Sequence, residues 1–238
     1  MSGPVAARLD ALRRRIDGAA RRAGRDPAEV TLVGVSKRVP AERVVEAIAA
    51  GLADVGESYV QEAKEKRATV EKALAERGLA TPRWHGIGRL QRNKARDAVV
   101  VFDALHSLDR EDLARELDLR ATRAGRRLEV LLQVSLCGEP QKGGAPSEAL
   151  PALLEACAGL TALEVTGLMT IPAAASDPET ARPVFARLRA LAAELRAAPG
   201  GAGLRKLSMG MSDDFELAIE EGATHVRVGT ALFGPREG

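Results

Sequence analysis

In the stretch VGVSKRVP, residues 33–40, a run of small and branched apolar residues stops at Ser36-Lys37, and Pro40 follows three residues after the lysine. Side chains alternate along a strand, so a Lys37 aimed into a shared mouth puts Val35 and Val33 on its side and sends Ser36 and Gly34 to the other. An amine in such a partly desolvated place has a lowered pKa and can condense with a carbonyl to a Schiff base. A solvated lysine at a strand end explains the same spacing, and this segment alone does not decide between the two.

Two later stretches bear on the choice. In SMGMSDDFELAI (208–219), Gly210 permits a tight turn, Met211 follows it, and Ser212 or Asp213 can cap the next helix; Asp213 and Glu216 have capping-box spacing. The exposed amides of such a helix start favour an anion. In VRVGTALFG (226–234), Val226 and Val228 face outward, leaving His225, Arg227 and Gly229 on one inner face. Gly229 lets a phosphate approach the backbone, and the Thr230 amide and hydroxyl can donate to it. An inward arginine needs a partner, because an unpaired buried charge is costly. A lysine, an anion cradle and an inward arginine around one mouth suit a phosphorylated aldehyde: pyridoxal 5′-phosphate (PLP), or a sugar phosphate in a Schiff-base aldolase.

The elements that must bring these stretches together alternate along the chain. Strands are expected at 31–37, 52–57, 84–88, 101–108, 128–136, 163–172, 204–210 and 225–230, with helical runs at 41–50, 58–78, 91–97, 109–124, 147–158, 178–197 and 213–221 between them. An amphipathic helix precedes them, with Val5, Leu9, Leu12 and Ile16 on its apolar face and arginines on the solvated one. Connections of this length imply a parallel sheet, and eight such units predict a single (β/α)8 TIM barrel over residues 1–238 with an extra N-terminal helix; a doubly wound open sheet is the alternative. The site of such a barrel lies at the C-terminal strand ends. The polar, glycine-rich stretch 138–147 reads as a mobile loop over one face. The charged run KEKRATVEKALAERG (64–78) reads as a solvated helix face. Trp84 and Phe102 read as core, His85 as a satisfied core histidine, and Met169 as a soft wall near the site. His106 lies near the mouth, and Arg89, Arg92, Lys94 and Arg96 follow the third strand as a solvated loop or a secondary anion site.

Composition narrows the classes. The 238 residues carry a formal net charge of +2 and 3% aromatics, which argues against a nucleic-acid binder. No run reaches the roughly 18 apolar residues of a membrane span, and no signal-peptide core opens the chain. Cys137 and Cys157 have neither metal nor C-x-x-C spacing and read as buried or incidental thiols of a reducing, cytoplasmic compartment.

The blocks LVGVSK, DVGESYVQEAKEK, WHGIGRLQRNK, HSLDR, LLQVSLCGEPQKGG, GLMTIP, LSMGMSDDFELAI and VRVGTALFG, in this order, resemble the YggS/PROSC family of PLP homeostasis proteins over nearly the whole chain. The resemblance implies the alanine racemase N-terminal type of barrel, PLP as cofactor, and Lys37 as the lysine of its aldimine. It implies phosphate contacts from Ser212, Gly229 and Thr230, Arg227 against the pyridine nitrogen, and Met169, Met211 and Ser58 in the surroundings. Ser58 departs from the family's usual asparagine and reaches less far. A cationic arginine at the ring nitrogen weakens the electron sink that carbanion chemistry uses. Racemases of related fold add a tyrosine on the opposite face with help from a second domain; this chain has one tyrosine, Tyr59. The resemblance therefore implies a PLP carrier or buffer in vitamin B6 and amino-acid homeostasis, monomeric, with apo-enzymes as possible clients, and a PLP-dependent amino-acid racemase as the alternative.

Overall fold

The computed structural model describes residues 3–139, 142–173 and 176–235. Strands β1 (Thr31–Val35), β2 (Asp54–Glu57), β3 (Arg83–Gly86), β4 (Ala104–Leu108), β5 (Leu128–Ser135), β7 (Leu163–Met169), β8 (Lys206–Ser208) and β9 (His225–Val228) pair in parallel, each with the next. β9 returns to β1, and β4 pairs with β5, so the sheet closes into the expected eight-stranded barrel. A two-residue strand, β6 (Ala145–Pro146), adds to the end of β5 outside this ring. It occupies part of the stretch expected as a loop; Pro140 and Gln141 of that stretch lie outside the described residues.

Helices α2 (Ala41–Ala49), α3 (Val60–Glu76), α4 (Ala95–Val101), α5 (Glu111–Arg123), α6 (Leu150–Ala158), α7 (Arg182–Leu195) and α8 (Phe215–Glu220) fill the crossovers, and a short α9 (Thr230–Phe233) follows β9. In front lies α1 (Pro4–Arg22), whose Val5, Leu9, Leu12 and Ile16 are buried, as their spacing predicts, against α2, α8 and α9. Parallel strands covered by helices bury both faces, which is why the runs are apolar and β-branched rather than alternating.

Several boundaries differ from the sequence expectation: β1 ends at Val35, so Lys37 stands in the turn after the strand, β7 ends at Met169 and β8 at Ser208, and two more lie around Phe102. α4 runs on to Val101, and β4 begins only at Ala104. Phe102 is therefore a core residue in the connection rather than in the strand, and its ring packs where a side chain on Gly86 would stand. The barrel interior is also more polar than apolar runs suggest. His85, His106, Ser208, His225 and Arg227 are all buried within it.

Candidate functional site

Lys37 follows β1 at the first corner of a turn closed by Val39 N–H donating to the Ser36 carbonyl at 2.8 Å. The second corner, Arg38, has φ 58° and is the one non-glycine residue with left-handed backbone among those described. Such a residue costs roughly 1–2 kcal/mol, and here its N–H is held by Glu62 Oε1 at 2.6 Å. On the other side of Lys37, the Ser36 carbonyl accepts from Lys66 Nζ at 2.5 Å. Lys66 also pairs with Glu57 Oε1 at 2.5 Å and Glu62 Oε1 at 2.9 Å, and Ser36 Oγ donates to Glu57 at 2.7 Å. Both backbone neighbours of Lys37 are thus clamped by one ion-pair network rooted in β2 and α3. Burial pushes the Glu57 carboxyl above its ordinary range, and Lys66 opposes that shift. This corrects the reading of 64–78 as a solvated face. Lys66 is buried, because its partners Glu57 and Ser36 come from other elements and make a cation tolerable there.

The Lys37 side chain leaves this clamp toward the mouth, with Nζ 4.8 Å from the centre of the Tyr59 ring. Tyr59 and Ser58, between β2 and α3, line a cavity of about 870 Å³ with Arg89, Arg92, Lys94 and Arg110. Arg92 is tied to Glu116 and Arg110 to Asp109 and Asp112. Arg89, Arg92, Lys94 and Arg96 after β3 are exposed, as the solvated-loop reading expects, and the first three also line this cavity.

Register brings the second half of the site to the same place. β1 and β9 are neighbours, with Val33 opposite Arg227 and Gly34 opposite Val228. Gly229, just beyond, lies against Val35, and a Cβ there would sit 3.3 Å from the Val35 carbonyl oxygen, tighter than most such contacts. Ser212 Oγ accepts from Ala231 N–H at 3.3 Å, and Ser212, Asp213 and Thr230 line a cavity of about 600 Å³ with Arg15 of α1. Arg15 stacks on Phe215 and pairs with Glu216, which holds it at this rim. Sequence reasoning placed it on a solvated face, and nothing local marks it otherwise. The capping expectation also needs correction. α8 starts at Phe215, with Asp214 rather than Ser212 or Asp213 at the cap position. The Asp214 carboxylate accepts from Met211 N–H at 2.6 Å and so orders the turn that leaves Gly210 at φ 90°. Ser212 is thereby left to serve α9 instead.

Arg227 faces inward with its guanidinium buried; Nη1 donates to Ser208 Oγ at 2.6 Å and Nη2 to the Thr170 carbonyl at 2.9 Å. Burial pulls its pKa down to about 10, against the pull of Asp214, and it stays cationic at neutral pH. Met169 is buried opposite Ser208 in register, and Met211 is partly exposed at the rim. His85 is satisfied by Asp54 and His106, as expected, and His106 is buried in the barrel rather than at its rim. Cys157 is buried, and that burial pushes its thiol up to about 11, which leaves it unreactive; Cys137 is half-buried.

Residues 7–237 match the family described as the N-terminal domain of alanine racemase. A pyridoxal phosphate homeostasis protein of Pseudomonas aeruginosa is 48% identical over 94% of this chain and 92% of its own. The chain belongs to the pyridoxal phosphate homeostasis protein family. A second relative of that name, from Aquifex aeolicus, is 45% identical over 97% of both chains. PipY of Synechococcus elongatus PCC7942, solved with PLP bound, superposes with a TM-score of 0.83 at 40% identity, covering 97% of this chain and 100% of its own. The family barrel and its N-terminal helix are therefore those anticipated from the ordered motifs.

Proposed function

We propose that the protein binds PLP at the C-terminal mouth of its barrel as a single unit and serves in PLP homeostasis, holding the cofactor rather than turning over a substrate. The register of β1 against β9 carries this reading, because it sets the buried inward cation Arg227 opposite Val33 and the glycine-lined backbone approach at Gly229 against Val35, two residues before the amine of Lys37. The bound cofactor would supply an aldehyde able to condense with an amine. Lys37 is the amine, presented by the clamped turn. The Ser212 hydroxyl and the backbone of Gly229 and Thr230 would receive the phosphate; the next amides are already engaged, Ala231 by Ser212 Oγ and Leu232 and Phe233 by the Gly229 carbonyl. Arg227 would hold the ring nitrogen with an N–H group not used by Ser208 or Thr170, which would keep that nitrogen an acceptor and a weak electron sink. Met169 and Met211 would bound the ring, and Ser58 would reach less far toward it than asparagine.

The racemase alternative needs a second proton carrier across the substrate from Lys37. Tyr59, the one tyrosine of the chain, has its ring 4.8 Å from the Lys37 amine itself, too near for cofactor and substrate to lie between them. No described helix is long and apolar enough to cross a membrane. A cytoplasmic monomer that exchanges PLP with amino acids and apo-enzymes is the setting that fits the exposed mouth.

Titration with PLP followed by incubation with amino acids in deuterium oxide tests both halves. Tight uptake with no stereospecific exchange at the α-carbon is expected. Exchange at ordinary enzymatic rates that disappears in Lys37→Ala would make the protein a racemase-type enzyme.

A further inference from the structure

Arg227 is a buried cation whose direct partners are a hydroxyl and a carbonyl, not a carboxylate. From Ser208 a line of polar contacts continues through the barrel to its other end. Ser208 Oγ is 2.8 Å from His106 Nδ1, His106 Nε2 is 2.9 Å from His85 Nδ1, and His85 Nε2 is 2.8 Å from Asp54 Oδ1. Ser208, His106 and His85 are buried, whereas Asp54 is partly open to a cavity of about 290 Å³ beneath α1.

Donor counting gives the line a direction. A carboxylate only accepts, so His85 Nε2 carries a proton toward Asp54. A neutral His85 then offers a bare Nδ1, which accepts from His106 Nε2–H. The bare Nδ1 of His106 accepts the Ser208 hydroxyl proton, and the Ser208 oxygen accepts from Arg227. Each donor from His85 to Ser208 is used once. The opposite order would make Ser208 Oγ accept from both His106 and Arg227, leaving its own proton without a described acceptor. It would also require His85 to donate from both nitrogens, as a cation. The surroundings of His106 disfavour added positive charge: the third histidine, His225, has its ring 6.3 Å from His85 and 5.9 Å from His106, and Lys206 and Arg227 also face the cluster, while Glu129 and Asp54 act the other way on His225. Burial, then these neighbours, holds His106 well below the ordinary histidine range.

We propose that Asp54, His85, His106 and Ser208 form a one-directional hydrogen-bond relay that orients Arg227 and counters its charge from the far end of the barrel. They are positioning residues: Ser208, His106 and His85 are buried, and the line acts on a bound ligand through Arg227. Hydrogen bonds in such a chain polarise one another, so changing its terminal carboxylate is felt at the guanidinium. The positioning role rests on the reading that Arg227 faces the PLP ring nitrogen, whereas the order of the relay does not.

The chain has three histidines, so long-range proton–nitrogen correlation on uniformly labelled protein resolves each imidazole. Without PLP, His85 and His106 are expected as Nε2–H tautomers at pH 8. A His85 cation, or an Nδ1–H form of either ring, overturns the relay. With PLP, Asp54→Asn is expected to weaken binding roughly three- to tenfold and to shift the pH midpoint of the cofactor's visible band, with the same direction of change in His106→Gln. Affinity within a factor of about two of wild type and an unmoved midpoint in both variants would overturn the positioning role. Failure of the wild type to take up PLP would instead sink the reading of Arg227 as a cofactor residue, and the positioning role with it. The imidazole spectrum of the same sample would still decide the order of the relay. Should a variant not fold, the wild-type spectrum remains decisive.

Discussion

Replacing Lys66 by methionine tests the clamp around Lys37. The change keeps the volume and removes the charge, so Glu57, fully buried, loses its cation. Stripping one partner from a buried pair costs roughly 3–5 kcal/mol. Glu57 has an escape, which is to take up a proton. From the reference value of 4.5, neutralising a carboxylate costs about 3.4 kcal/mol at pH 7 and about 0.7 kcal/mol at pH 5, at 1.36 kcal/mol per unit. Lys66→Met should therefore lose about 3 kcal/mol at neutral pH, or roughly 6–12 °C in Tm for a chain of this size, and most of that loss should vanish by pH 5. The sign follows from linkage. A carboxyl whose folded pKa lies above its unfolded one favours folding at low pH and loses that contribution as pH rises through the folded value. The assay is urea unfolding of wild type, Lys66→Met and the exposed control Lys72→Met at both pH values. The same variant should also bind PLP more weakly, because Ser36 and Arg38 no longer fix the turn. A loss below about 1 kcal/mol at pH 7, or one that does not shrink toward pH 5, would refute the reasoning.

Gly229→Ala should lower Tm modestly, since its Cβ would crowd the Val35 carbonyl at 3.3 Å, and should weaken PLP binding at least about tenfold by shifting the backbone that receives the phosphate; an absorbance titration with unchanged affinity would rule out that cradle. Acid should act through the core histidines. Burial, then His85 and Lys206, pulls His225 down to about 3, and His106 is lowered in the same direction. A depressed histidine adds stability above the unfolded pKa near 6.5 and loses it as pH falls toward the folded value. Each imidazole that stays neutral should cost about 2 kcal/mol at pH 5 relative to pH 7.5, and a flat unfolding free energy over that range would show that these rings take up protons in the folded state.

The fold was legible because its signals are periodic. Val5, Leu9, Leu12 and Ile16 repeat at helical spacing and lie buried on α1. The period-two alternation of 225–229 puts His225 and Arg227 inside the barrel and Val226 and Val228 against the helices. Lys37, Arg227, Gly229, Thr230 and Ser212 meet at one end because each ends a strand or follows one, and a parallel barrel gathers all such ends on one face. What stayed hidden depends on partners distant in sequence. Lys66 looks like any lysine of a charged helix until Glu57 and Ser36 are brought to it. Arg15 is drawn to the mouth by Phe215 and Glu216, two hundred residues away. His85, His106 and Asp54 lie on three strands, and only the closed barrel aligns their nitrogens. The onset of β4 was misplaced because Val101 and Phe102 are as apolar as a strand but serve the α4 turn and its packing.

The central claim is that Lys37 carries PLP. Purified protein loaded with PLP, reduced with borohydride and cut into peptides would locate the linkage directly by mass. The account predicts one phosphopyridoxyl group, on the peptide containing Lys37, and in Lys37→Ala the loss of both the label and the visible band. Label found on Lys66, on Lys94 or on no peptide, or a band unchanged in the Lys37→Ala variant, would contradict it.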